Sequence, residues 1–229
     1  MMRILVLGDS HSTVFKGATS DRSIAFTNFM VTGASAQGSV NPHSKTNALQ
    51  VFKQALEQYA VGHHACMVML GEVDCGFVIW YRAKKYSVSV SSQLDRALRN
   101  YEQFLLEVVE QKFRPSEILI CCVVPPVIKD STDSRFLKGE RASISTSQLE
   151  RTKLTVKFNE RIREMCNRRN YKFIDIYGLL VDKSTELVDD RFLSDNPYNH
   201  HLDETKTRNL WHKELKRQVL RPNKSFLKL

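Results

Sequence analysis

The sequence predicts an α/β fold built on one doubly wound parallel sheet with helices on both faces. Three observations carry that expectation. Short apolar runs end in turn residues, amphipathic stretches lie between them, and the two kinds alternate five times along 229 residues. Continuous short apolar runs are the mark of strands buried on both faces. Their alternation with helical patterns is the mark of a parallel sheet.

The elements follow in order. Arg3 to Gly8 (RILVLG) reads as a buried strand closed by a turn signal. Phe26 to Val31 reads as a weaker strand, followed by the glycine-punctuated stretch Thr32 to Gly38. Between Thr46 and Tyr59, apolar residues at Leu49, Phe52, Leu56 and Tyr59 have a helical period. Cys66 to Leu70 is a third strand, closed by Gly71. Ser92 to Phe113 predicts a helix, with Leu94, Leu98, Tyr101, Leu105 and Val108 on one stripe. Ile118 to Val124 is a strand stopped by Pro125 and Pro126. Lys129 to Thr146 is polar and predicts a long surface loop, which in one reading is a lid over the site. Ser147 to Glu150 resembles a capping box, opening a helix to about Arg169. Tyr171 to Ile176 is the fifth strand, and Thr205 to Val219 a closing helix. With no repeat and no break in the alternation, residues 1–229 are expected to form a single domain.

Composition narrows the class. Apolar residues are 42% and charged residues 26% of the chain, ordinary values for a globular protein. No run reaches the roughly 18 apolar residues of a transmembrane helix. The N-terminus lacks the apolar region and cleavage site of a signal peptide. A cytoplasmic location is therefore expected. The five cysteines are odd in number and match no metal-binding spacing, which predicts free thiols in a reducing compartment. No metal and no cofactor are expected. The formal net charge is +9, with a cluster of cations from Lys206 to Lys228. That cluster reads as a solvated face and tail, or as attraction to an anionic substrate or surface. No nucleic-acid-binding signature accompanies it, so a nucleic-acid partner is not expected.

Chemistry is expected at the carboxyl ends of the strands. After the first strand stands Gly8-Asp9-Ser10-His11-Ser12, and after the second Gly33-Ala34-Ser35. After the third stands Gly71-Glu72-Val73-Asp74-Cys75, and past the fifth Ser194 to Leu202 with Asp195, His200 and His201. A serine hydroxyl becomes a nucleophile when a base takes its proton and a carboxylate orients that base. Ser10, His201 or His200, and Asp195 supply those residue types. His11, as the neighbour of Ser10, is expected to point elsewhere. His63 and His64 precede the third strand, at the wrong end of the sheet.

These blocks resemble the SGNH, or GDSL, hydrolase superfamily. Gly8-Asp9-Ser10 is similar to its first block, which carries the nucleophile. The resemblance implies a three-layer α/β/α flavodoxin-like sandwich with a five-stranded parallel sheet. It implies Ser10, His201 and Asp195 as the catalytic set, and the backbone N–H groups of Ser10 and Gly33 as the oxyanion hole. Asp9 and Asp74 are then structural or close to the substrate, and a protonated Glu72 is a further candidate donor. The third block of the superfamily reads Gly-x-Asn-Asp, and here Val73 stands in the asparagine's place. Its last block reads Asp-x-x-His, and here Tyr198 occupies the position three before His201. A third block reading Gly-Glu-Val-Asp resembles a branch that accompanies glycan and capsule biosynthesis.

The function this implies is ester hydrolysis of an O-acyl ester, with a carbohydrate ester as substrate. The alternatives are an O-acyltransferase acting on a sugar or polysaccharide, and a glycan-binding module that keeps the fold without the chemistry. Phe77 to Tyr86 places Trp80, Tyr81 and Arg82 among further cations, a composition that suits a carbohydrate or anionic glycan, though an amphipathic helix packed on the sheet is the preferred reading. The oligomeric state is left open.

Overall fold

The computed structural model of the protein describes residues 1–16, 23–132, 145–196 and 199–219. Most of the expected Lys129–Thr146 loop and the far end of the basic tail, with Arg221, Lys224 and Lys228, lie outside these residues.

Five strands form one parallel sheet: β1 (Met2–Gly8), β2 (Ile24–Met30), β3 (Ala65–Met69), β4 (Ile118–Cys121) and β5 (Lys172–Ile174). Their order is β2-β1-β3-β4-β5, the flavodoxin-like order. Among the described residues, six α-helices accompany them: α1 (Ala48–Tyr59), α2 (Ile79–Tyr86), α3 (Val90–Phe104), α4 (Gln148–Arg169), α5 (Tyr177–Leu180) and α6 (Glu204–Val219).

The strand period of two splits each strand's side chains between two cores. Leu5 and Leu7 of β1 face Phe52 of α1, Tyr101 and Phe104 of α3, and Phe158 of α4. Ile4 and Val6 face the other way, in the cluster holding Leu180 of α5 with Trp211 and Leu215 of α6. All four β1 residues are fully buried, each worth about 1.5–3 kcal/mol against exposure. The three layers follow from this: a sheet that is apolar on both faces needs a helical layer on each.

Differences from the sequence reading are local. The helix expected from Ser92 to Phe113 ends its α-helical part at Phe104 and continues as a π-helical turn, Leu105–Val109. Leu105 and Val109 are both buried, so the apolar stripe runs on through the change of winding. The capping box at α4 forms as expected: Ser147 Oγ accepts from Glu150 N at 3.2 Å, and Ser147 N donates to Glu150 Oε2 at 3.0 Å. All five cysteines are buried free thiols.

Register sets the site. Gly8, the last residue of β1, pairs with Met30 of β2 on one side and Met69 of β3 on the other. Three strands therefore end level. The strand order reverses between β1 and β3, and side chains following those two strands share one crevice.

Candidate active site

β1 runs into a 3-10 turn, Ser10–Phe15, that carries the candidate nucleophile. A side chain on Gly8 would not fit, because its Cβ would lie 2.7 Å from Ser12 Cβ and 3.0 Å from the Met69 carbonyl. Asp9 caps the turn, its Oδ1 accepting from His11 N at 2.9 Å. Ser12 Oγ donates to the Asp9 carbonyl at 2.8 Å and to Asn28 Oδ1, on β2, at 3.2 Å. Asn28 Nδ2 returns a bond to the Ser12 carbonyl. From the far side, Arg208 Nε of α6 donates to the Val14 carbonyl at 3.0 Å. The turn is thus tied to a strand and a helix as well as to itself.

The other half of the site comes from the end of the chain. Leu193 and Leu202 pair across an antiparallel bridge, and Asp203 N donates to the Phe192 carbonyl at 2.9 Å. Leu202 is buried, while Asp203 Oδ1 caps α6 by accepting from Thr205 N at 2.8 Å. His201 sits one residue before this anchor. Its Nε2 lies 2.7 Å from Ser10 Oγ, joining residues 191 positions apart.

The imidazole's other nitrogen decides its tautomer. His201 Nδ1 is 3.0 Å from Asn199 Oδ1, which also accepts from the His201 backbone N–H at 3.0 Å. A backbone N–H can only donate, so the amide turns its oxygen toward the histidine. That oxygen accepts the Nδ1 proton as well. In the neutral ring Nε2 is left as the acceptor facing the serine hydroxyl.

Asp195, expected as the acid, does not reach His201. Its carboxylate is almost fully exposed and lies 3.3 Å from Lys206 Nζ. The reason is local: a short Asx turn from Asn199 takes the Nδ1 position. Tyr198, at the three-residue spacing, lies outside the described residues. His200 does not share the serine contact seen for His201; its ring packs on His201 at a 4.0 Å centroid distance.

His11 is the residue the sequence reading missed. It does not point away: its ring lies 4.5 Å from that of His201, tilted by 52°. Its Nδ1 is 3.2 Å from Asp9 Oδ1, and its Nε2 is 3.7 Å from Glu72 Oε2. The only signal for this in the sequence was the spacing Asp-x-His, which Asn199 and His201 repeat. Asn28 and Arg208, which hold the serine turn, carried no signal at all.

The third block has a different task. Asp74 is fully buried, and its two oxygens accept from Ala36 N at 2.6 Å and Gln37 N at 2.9 Å. It thereby fastens the loop after β2 to the end of β3. Burial pushes its carboxyl up from 3.8 to about 7; the two backbone bonds act the other way, and Asp9 adds to the rise. Val73 is buried and brings no donor. Gly33 lies in the exposed turn after β2, which Val31 N ties to the Gly8 carbonyl at 2.9 Å.

Trp80 and Tyr81 lie on α2, which is the packed helix that composition allowed. With Lys84, Val88, Val90 and Thr146 they line a cleft of about 350 Å³. The Trp80 indole N–H donates to the Cys75 carbonyl at 2.7 Å. Arg82 is turned over the Tyr86 ring, 5.3 Å from its centroid, and does not line the cleft. His63 and His64 lie at the opposite edge of the sheet, where His64 N donates to the Arg3 carbonyl.

Among the described residues, no helix is long and apolar enough to cross a membrane. No protein-family model matches the sequence, and no curated protein matches it either. Solved structures do match in fold. A carbohydrate acetylesterase family member from Sinorhizobium meliloti has a TM-score of 0.59 at 15% identity, covering 96% of this chain and 100% of that one. A GDSL-like lipase from Bacteroides thetaiotaomicron has a TM-score of 0.57 at 12% identity, covering 95% and 89%. An acetyl xylan esterase has a TM-score of 0.54 at 13% identity, covering 95% and 100%. With its five parallel strands in flavodoxin-like order and its serine turn at the end of β1, the chain has the fold of the SGNH/GDSL hydrolases.

Proposed function

We propose that the protein is a serine ester hydrolase that acts on an O-acyl ester, with a carbohydrate ester as its substrate. The single observation that carries this is the 2.7 Å approach of Ser10 Oγ to His201 Nε2. A hydroxyl held on an acceptor imidazole, with the second ring nitrogen committed elsewhere, is the arrangement nucleophilic catalysis requires.

In the reaction, Ser10 Oγ attacks the ester carbonyl carbon while His201 Nε2 takes its proton. The oxyanion is met by the backbone N–H groups of Ser10 and Gly33. As the tetrahedral intermediate collapses, the alcohol leaves with the proton from His201, and the acyl group stays on Ser10. Water then attacks the acyl-enzyme with His201 as base, and the carboxylic acid departs. Asn199 replaces Asp195 as the group that orients His201. Val73 supplies no side-chain donor, and losing one such donor typically slows acyl transfer by about 100- to 1000-fold. Slow turnover is therefore expected.

The carbohydrate assignment is supported by the cleft beside α2. Aromatic rings stack on sugar faces, and the nearby Lys84 suits an acidic group on the glycan. Two of the structures that match in fold are named an acetyl xylan esterase and a carbohydrate acetylesterase family member.

A fluorophosphonate probe, which needs an activated serine, tests the chemistry. Wild type should label at Ser10, and Ser10→Ala should not. His201→Gln should label at least about 1000-fold more slowly. Acetate release from p-nitrophenyl acetate without an added acceptor is expected of a hydrolase. Release only when a sugar acceptor is present would replace the reading with acyl transfer, and absence of labelling would replace it with glycan binding.

A further inference from the structure

When Ser10 attacks, His201 becomes a cation. A buried carboxylate on Nδ1 would stabilise that cation by its charge, but the neutral amide of Asn199 occupies that position. Two carboxyl groups are reached instead through the neighbouring ring of His11. His201 packs against His11, and His11 is held between two carboxyl groups, Asp9 at Nδ1 and Glu72 near Nε2. The side chains of all three are at least nine-tenths buried, with exposures of 1% for Asp9, 5% for His11 and 8% for Glu72.

The local geometry repeats that of His201. Asp9 Oδ1 accepts from both the backbone N–H and Nδ1 of His11, as Asn199 Oδ1 does for His201. One Asx-x-His unit aims its Nε2 at Ser10, and the other aims its Nε2 at Glu72. Gly76 leaves room for that carboxyl, since an added Cβ would lie 2.8 Å from Glu72 Oε1. Asp9 and Glu72 thus bring two carboxyl groups to either end of the His11 ring, in a site shielded from water. Charge so placed favours a neighbouring cation far more than it would in bulk water.

We propose that Asp9, His11 and Glu72 form a positioning unit that braces the His201 ring and supplies the negative charge a catalytic aspartate would otherwise bring. The inference rests on the Ser10–His201 chemistry proposed above and extends it to residues that do not touch the reacting atoms. Among the described residues, three further titratable groups face the unit. His200 packs on His201, Glu204 of α6 lines the same small crevice as His11 and His201, and Asp74 acts on Asp9 from the loop after β3. None of these changes in the variants below.

The test is the protonation midpoint of His201, followed by imidazole NMR in the full chain. Glu72→Gln and Asp9→Asn each replace a carboxyl group with a neutral amide and keep an oxygen in place as acceptor. Two variants guard against one of them failing to fold. Either should lower the His201 midpoint by roughly half a pH unit or more. Adding Asn199→Asp to Glu72→Gln puts a carboxylate on Nδ1 and should raise the midpoint again. A purely structural role predicts no movement, and a midpoint unchanged in both single variants overturns the proposal. The pH dependence of fluorophosphonate labelling separates this outcome from failure of the hydrolase reading. A labelled wild type with an immobile midpoint removes the charged unit and leaves the esterase. A wild type that is not labelled at any pH removes the esterase, whatever the midpoint does.

Discussion

His201 presents its Nε2 to Ser10 because its Nδ1 is already committed to Asn199, two residues upstream. The same amide oxygen holds the histidine backbone, so ring and chain are oriented by a single acceptor. Losing it frees the ring to rotate and to adopt the other tautomer. Asn199→Ala is therefore expected to slow fluorophosphonate labelling by about 100-fold or more, in the manner of losing the orienting member of a catalytic set. Asp195→Asn should change the labelling rate by less than about twofold, because an exposed ion pair with Lys206 contributes little. Comparable losses in both variants would return the orienting role to Asp195. The contact between Ser10 and His201 agrees with the block order, which set a serine after the first strand and a histidine near the end of the chain. Asn199 and His11 were not legible in the sequence, because an Asx turn is a choice among local hydrogen bonds that residue type alone leaves open.

At the scale of elements, the turn carrying Ser10 is held in part by α6. That helix packs Trp211 and Leu215 into the second core, and Arg208 reaches the turn carrying Ser10. His212 lies on the same helix, buried, its ring edge-on to Phe26 at 5.3 Å. Burial first, and then the charge of Arg208, holds its imidazole below the ordinary 6.5. The folded chain thus binds fewer protons there than the unfolded one. The stability contributed by a neutral His212 is complete above pH 6.5 and is lost as pH falls through the depressed value. His212→Phe keeps the ring and removes the titration. Its melting temperature should fall less than that of wild type between neutral and mildly acidic pH. Parallel melting curves over that range would assign the acid sensitivity elsewhere. Among the elements, α3 shows where periodicity stops informing. Its apolar stripe passes unbroken into the π-helical turn at Leu105, since both windings bury the same face. The four-residue α5 was too short to show a period.

Across the whole molecule, Asp74 joins two loops that the sheet alone would leave separate. It spans from the end of β3 to Ala36 and Gln37, beyond β2, and so sets the position of the turn containing Gly33. Its carboxyl is raised from 3.8 to about 7, so the folded chain holds a proton there that the unfolded chain releases. The stability gained from that proton is complete below pH 3.8 and is lost as pH rises through about 7. Asp74→Asn removes this dependence along with one of the two acceptors. The variant should be less stable than wild type at every pH, by an amount that shrinks between mildly acidic and neutral pH. Thermal melts at several pH values measure this, and a constant offset would show that Asp74 does not titrate in the range.

By itself the sequence determined the layers, the parallel sheet and the serine at the end of β1. Those features depend on burial patterns and turn residues that repeat within a few positions, and burial is a property each residue carries in its own chemistry. Only the tertiary structure decided which group touches His201, that His11 turns inward between Asp9 and Glu72, and that Arg82 leaves the cleft to Trp80 and Tyr81. These are selections among polar partners of nearly equal chemistry. They are settled by where the chain brings residues far apart in sequence into contact, and a linear pattern holds no record of that.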